Sequence, residues 1–246
     1  MIPGPEREAG QAPERGAGLR EEVAEAANVL ARLGLVTAYG HVSARAGESM
    51  LITPAADLAR VTADQVIEVP LAPGGALPRG APAEAWAHLA LYRARPDAAA
   101  IARAQPASAF AAAAAVTVMV PLHGQAAWLG ESVPVHHDAA LLRSADQAER
   151  AARSLPEGEA LLLRGNGALT LGATPGLAVA RMWLLAAACD VYLKALAASG
   201  AASRVTPLSA GEVASWRAVG GELLPRLWQH LRCRSGAGLD PGEVQG

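Results

Sequence analysis

Cysteine is scarce in this chain, with two residues, Cys189 and Cys233, among 246. They sit far apart, one in an apolar helical run and one near the tail. Neither a disulfide framework nor a paired-cysteine metal site is suggested, and a reducing cytoplasm is the compartment they fit. An excess of one charge sign is also missing. The 21 basic and 23 acidic residues leave a formal charge of -2, and no basic cluster of five or more occurs. That removes the footprint of nucleic acid or of an anionic membrane, so the expected partner is a small molecule or another copy of the chain. Uninterrupted apolar spans are absent too. The run 98–120 is broken by Arg103, Gln105 and Pro106, and the run 176–198 carries Arg181, Asp190 and Lys194. Charges in mid-span are costly in lipid, so both runs are read as buried globular elements. Internal repeats are lacking, and residues 1–18, rich in Pro, Gly and Glu, hold no apolar stretch of a signal peptide. They are expected to form a disordered tail.

What is present is a hydrophobic content of 52%, enough to bury a sizeable core. A single domain is expected over residues 19–232, followed by a flexible tail at 233–246. Residues 20–33 show helical spacing of Val23, Ala27, Leu30 and Leu33 and close at Gly34. Strands are predicted at 41–45, 50–53 and 66–69, with Pro- and Gly-rich turns between them. Pro82 opens a helix that must end by Arg95, before Pro96. A buried strand at 98–104 precedes an alanine-rich helix at 106–115. Ser144 with Gln147 caps a helix over 145–155, Thr174-Pro175 opens the long apolar helix, and Ser209 with Glu212 caps another that Pro225 breaks. Strands with local hairpins, interleaved with helices, indicate a layered α/β domain with a mixed sheet.

Between strand-like runs at 161–163 and 168–171 stands Arg164-Gly165-Asn166-Gly167. Asn-Gly in such a place is the strongest short hairpin signal, and turn chemistry alone predicts a type I′ turn. His136 and His137 with Asp138 look metal-like, but adjacent strand residues point to opposite faces, so they are read as surface or interface residues. Trp86, Trp128 and Trp183 are read as core or subunit-contact residues rather than as a stacking platform.

Several segments then fall into a familiar order. Tyr39-Gly40-His41-Val42-Ser43-Ala44-Arg45 is followed by Leu51-Ile52-Thr53-Pro54, by Pro82-Ala83-Glu84 with His88, and by Tyr92-Arg93-Ala94-Arg95-Pro96-Asp97. Pro121-Leu122-His123 and the Gly165-Asn166-Gly167 turn complete the series. Together these resemble the class II aldolase/adducin family over roughly residues 20–198. The resemblance implies a layered α/β/α domain with a central, mainly antiparallel sheet, a homotetramer, and active sites at subunit interfaces.

Members of that family hold a divalent metal, often zinc, with a His-x-His pair on the strand after Arg-Pro-Asp and a third histidine before glycine. The pair is placed here on Ala102 and Ala104, and the third position on Asn166. Alanine offers no lone pair and an amide is a feeble zinc ligand, so the inherited site is expected to be absent. Arg103 and Arg164 could supply the missing positive charge, although strand alternation turns Arg103 and Gln105 away from Ala102 and Ala104. Glu84 matches the family's acid or base, and its environment would have to raise its pKa for proton shuttling near neutral pH. His88, four residues on, shares its face. His41 stands where relatives carry an asparagine in a substrate-anion loop, with Ser43 beside it, and His123 borders the active-site segment.

The expectation is a metal-independent carbon–carbon lyase, of aldolase or decarboxylase type, acting on a small oxygenated acid or carbonyl compound. Glu84, His41, His88 and His123 would handle protons, while Ser43, Arg103, Arg164 and Asn166 would hold substrate. No cofactor is expected; the alternative is a divalent metal at a new site involving His41, His88 or His123. An isomerase, dehydratase or cyclase would use the same proton abstraction, and a non-catalytic binding or assembly module would keep only the scaffold.

Overall fold

Eight strands form one sheet, in the order β3-β2-β1-β4-β8-β7-β6-β5, in a computed structural model that describes residues 11–200 and 205–236. The strands are β1 (His41–Ala46), β2 (Ser49–Ile52), β3 (Ile67–Pro70), β4 (Ala100–Ala104), β5 (Val118–Met119), β6 (Val133–His136), β7 (Ala160–Leu163) and β8 (Gly167–Gly172). All neighbours pair antiparallel except β6 with β7. The helices are α1 (Gln11–Arg32), α2 (Ala85–Ala94), α3 (Ala107–Ala115), α4 (Ala145–Ala152), α5 (Pro175–Ala198), α6 (Ala210–Ala218) and α7 (Gly220–Arg234). The layered α/β/α domain with a mainly antiparallel sheet is thus observed.

Alternation along the central strands builds two cores. On β4, Ala100, Ala102 and Ala104 join Val42 and Ala44 of β1 and Leu162 of β7 against α1, α3 and α5. Ile101, Leu161, Leu163, Leu169 and Leu171 face α2 and α4 on the other side. Strands β4, β7 and β8 are buried along their whole length, so both faces are covered and their composition is nearly all apolar. Each leucine so buried contributes about 1.5–3 kcal/mol, enough to set the register of the sheet. Helix α5, long and apolar enough to cross a membrane by length and composition alone, packs against β4, β8, α1 and α3 instead. Trp128 is buried, and Trp86 and Trp183 pack against the two cores.

Local chemistry accounts for most boundaries. Thr174 accepts from the Leu177 N–H with Pro175 in the first helical turn of α5, and Ser209 and Glu212 form the reciprocal cap of α6. Three boundaries differ from expectation. Helix α1 begins at Gln11, nine residues before the predicted start and within the stretch expected to be disordered; residues 1–10, like the tail from 237, lie outside the described residues. The break in the C-terminal helix falls at Val219, ahead of the helix-weakening Gly220-Gly221, while Pro225 lies inside α7. The hairpin between β7 and β8 is a three-residue connection rather than a two-residue type I′ turn. Leu163 pairs with Gly167, the Asn166 N–H donates to the Leu163 carbonyl at 2.9 Å, and Gly165 takes a φ of 69°. Strands β5 and β6 had no counterpart in the sequence reading.

Candidate functional site

The polar residues of the central strands gather on the α2 side of the sheet. His41 lies opposite Arg103 across the β1–β4 ladder, and Ser43 lies opposite Ile101. Above them, α2 presents Glu84, His88 and Tyr92 at four-residue spacing, hence on one helical face. Asn166 enters from the β7–β8 connection and Arg143 from the loop before α4, where its N–H donates to Gln147 Oε1 at 3.3 Å. His41, Ser43, His88, Arg103 and Asn166 are all buried, none more than 6% exposed.

This placement corrects the assignment of the histidine pair. Ala102 and Ala104 point into the opposite core. A pair of ligands aimed at the site from this strand would occupy Arg103 and, by alternation, Gln105. Alternation alone separates Arg103 from the two alanines; what sequence could not say was which face of β4 meets α2.

Arg103 donates from Nη2 to Asn166 Oδ1 at 2.6 Å. Asn166 can reach it because Gly167, with a φ of 84°, lets β8 press against the end of β4: a Cβ there would stand 2.2 Å from the Ala104 carbonyl oxygen. Ser43 Oγ lies 2.7 Å from His88 Nδ1 and 2.9 Å from the Tyr92 hydroxyl. Glu84 starts α2 yet makes no capping bond. Its carboxylate instead accepts from Arg143 Nε at 3.0 Å and lies 4.0 Å from His41 Nε2, which disfavours a simple helix-dipole role. Five buried side-chain polar atoms lack a partner among the described residues, and four of them are here: His41 Nδ1, His88 Nε2, Arg103 Nε and Asn166 Nδ2. Unpaired buried groups cost about 1–3 kcal/mol each, and four of the five gather on this one face of the sheet.

The electrostatics are unlike those expected. Burial works to raise the Glu84 pKa, but the Arg143 hydrogen bond and the charges of Arg103 and Arg143 outweigh it and hold the carboxyl below its ordinary value. The carboxyl is thereby held in its ionised form. Burial and the neighbouring Arg103 push His41 down to about 4 against a weaker upward pull from Glu84. His88, fully buried beside His41 and Arg103, is held well below the usual histidine range.

His41 gives a pH prediction. Its folded pKa lies below its ordinary 6.5, so between about 4 and 6.5 the unfolded chain binds more protons and stability rises with pH. Acidification to pH 5 is expected to cost on the order of 2 kcal/mol through this group. Glu84 acts in the same direction only below the ordinary carboxylate value of 4.5. In thermal melts from pH 7 to pH 5, His41→Asn should flatten the fall; an unchanged slope would remove His41 as the cause.

A divalent metal does not fit this donor set. Arg103 is a cation without a lone pair, and Asn166 Oδ1 is taken by it. Ser43 Oγ lies on His88 Nδ1 at 2.7 Å, and no group of three or more His, Cys, Asp or Glu that could hold a metal ion gathers among the described residues.

Two predicted residues stand elsewhere. Arg164 is exposed and turns its Nε to the His137 carbonyl at 2.7 Å. His123 precedes a short 3₁₀ segment, Gly124–Leu129, that packs on α6, and burial alone lowers its pKa. His136, read as a surface or interface residue, is buried and bonded to Ser154 at 3.0 Å, while His137 is exposed. Arg143 and Tyr92 were missed as site residues. Tyr92 was findable from its four-residue spacing after His88; Arg143, 59 positions from Glu84, carried no local signal. A hollow of about 270 Å³ lined by Trp128, Leu177, Arg181 and Leu224 lies on the α5 side. Its Arg181 is satisfied by Glu159 and by two carbonyls, so that hollow is not the reactive cluster.

Residues 21–193 match the family described as Class II Aldolase and Adducin N-terminal domain. Among solved structures, the chain is similar to an L-fuculose-1-phosphate aldolase from Thermus thermophilus, at 30% identity and a TM-score of 0.67, over 74% of this chain and 97% of that one. It also resembles an L-fuculose 1-phosphate aldolase from Glaciozyma antarctica, at 21% identity and a TM-score of 0.74, over 96% of both chains. An aldolase II superfamily protein from Pseudomonas syringae is similar at 22% identity and a TM-score of 0.72, over 90% of this chain and 93% of that one. The latter two likenesses bear on the fold alone. No curated protein matches the sequence.

Proposed function

Because the chain belongs to the class II aldolase and adducin N-terminal domain family, we propose that it is a carbon–carbon lyase, of aldolase or decarboxylase type, whose fixed side chains replace the family's zinc. The observation that carries this is Glu84, paired with Arg143 and close to His41, on the face of the sheet that buries Arg103 and Asn166, which bond each other but leave Arg103 Nε and Asn166 Nδ2 without partners. In the aldol direction of cleavage, Glu84 accepts the proton of a β-hydroxyl group and the carbon–carbon bond breaks. Its electron pair passes to the neighbouring carbonyl, and the resulting enolate oxygen is met by Arg103 and Asn166. Protonation of that enolate by Glu84 closes the cycle. A β-oxo acid would lose carbon dioxide to give the same enolate. Isomerisation, dehydration or cyclisation would instead begin with removal by Glu84 of a carbon-bound proton beside the carbonyl, giving an enolate met by the same residues.

Small-molecule turnover is favoured over a non-catalytic module by the buried ionisable cluster, which would be a burden to a mere scaffold. A cytoplasmic setting fits the two free cysteines, and a homo-oligomer, with four subunits as the family implies, fits exposed Tyr39, Leu141 and Trp216. The test uses purified protein assayed for metal content and offered a panel of hydroxy- and oxo-acids. Glu84→Gln should lower turnover of an accepted substrate at least ~100-fold while the oligomer and melting temperature survive. Stoichiometric zinc would remove the metal-free part, and undiminished turnover in Glu84→Gln would remove Glu84.

A further inference from the structure

The buried hydrogen-bond chain on α2 and β1 has a direction. Tyr92 is 1% exposed, and Ser43 Oγ is the side-chain partner of its hydroxyl. Tyrosine's hydroxyl hydrogen needs an acceptor, since leaving it unpaired in the interior is costly. Tyr92 therefore donates to Ser43. Serine has one hydrogen of its own, and its remaining partner is His88 Nδ1 at 2.7 Å, so Ser43 donates to that nitrogen. With the imidazole neutral, an accepting Nδ1 leaves the proton on Nε2. His88 Nε2 is one of the orphaned buried atoms, and Arg103 Nε and Asn166 Nδ2 are two others. All three are then unsatisfied N–H donors, on residues no more than 5% exposed.

We propose that Tyr92 and Ser43 lock His88 as an Nε2–H donor, and that His88, Arg103 and Asn166 together form a pocket for a planar pair of anionic oxygens, as in a carboxylate or its enediolate. This rests on the lyase reading above and names its substrate class: the ligand presents a carboxylate or 2-oxo acid head to this floor, not a tetrahedral phosphate. His88 is then an electrophilic donor and no proton shuttle, while Tyr92 and Ser43 are positioning residues. A guanidinium and two neutral N–H groups supply charge and direction without being titrated near neutral pH.

Two measurements test this. Nitrogen-15 NMR of histidine-labelled protein at pH 7.5 should show His88 with an unprotonated Nδ1 and a protonated Nε2. Tyr92→Phe frees Ser43 to reorient and should mix the two tautomers while the melting temperature shifts little. By calorimetry, oxalate should bind the wild type at least ~10-fold more tightly than inorganic phosphate does. That binding should weaken several-fold in Tyr92→Phe and at least ~10-fold in Arg103→Lys. An Nδ1-protonated His88 in the wild type overturns the directional chain whatever the variants do. Phosphate binding as tightly as oxalate, or oxalate indifferent to both variants, overturns the pocket. The two readings fail separately: oxalate bound as stated with no acid turned over would remove the lyase, and Glu84-dependent turnover with oxalate indifferent would remove this pocket alone.

Discussion

Gly167→Ala is expected to destabilise the protein by about 3–5 kcal/mol and to abolish ligand binding. Two costs add. A φ of 84° is strained for any residue with a side chain, and the new methyl would stand 2.2 Å from the Ala104 carbonyl oxygen and 2.8 Å from Gln105 Cγ. The nearest obstacle is backbone, which cannot swing aside, so β8 must retreat from β4 at the point where their ladder ends with Ala104 opposite Ala168. Asn166, one residue earlier, moves with it and leaves the 2.6 Å bond to Arg103. For a chain of this length, a melting temperature lower by ~10 °C is expected. A loss of under 2 °C would mean that the close approach of β8 to β4 is not what seats Asn166.

Arg103→Met should do the opposite to stability while also ending activity. The guanidinium is 2% exposed, its one side-chain hydrogen bond is to a neutral amide, and its Nε has no partner. Burying a charge so thinly compensated is costly, and apolar replacements of similar size at such places are often stabilising by about 1–4 kcal/mol. Methionine keeps most of the volume and should raise the melting temperature by several degrees, yet turnover of any accepted acid should fall at least ~100-fold. That combination is the signature of a group retained for chemistry at the expense of the fold. A lower melting temperature with activity intact would make Arg103 a structural residue and empty the site of its cation.

The site was partly legible before the fold was known. Glu84, His88, His41, Ser43, Arg103 and Asn166 were named from their order along the chain, and all six converge. Arg164 was named because it adjoins the turn, but adjacency does not orient a side chain, and its guanidinium is drawn outward by the His137 carbonyl. Arg143 was passed over because its tie to Glu84 joins positions remote in sequence. The raised pKa that proton shuttling near neutral pH would require of Glu84 is not found, for the same cause: burial works to raise it, but an arginine from a distant loop reverses the sign.

Sequence alone determined the period and caps of most elements, since apolar alternation on β4, Thr174-Pro175 before α5 and Ser209 with Glu212 before α6 act over a few residues; the type of the β7–β8 turn, the α6–α7 break and strands β5 and β6 did not follow from it. Those local rules sufficed for a layered α/β domain and for an arginine on β4 pointing opposite to Ala102 and Ala104. Only the tertiary structure decided which face of β4 meets α2, and hence that Arg103 lines the site while Ala102 and Ala104 fill the core. That choice belongs to the packing of two helical layers against one sheet, a balance of burial summed over the whole chain, and no single segment contains it.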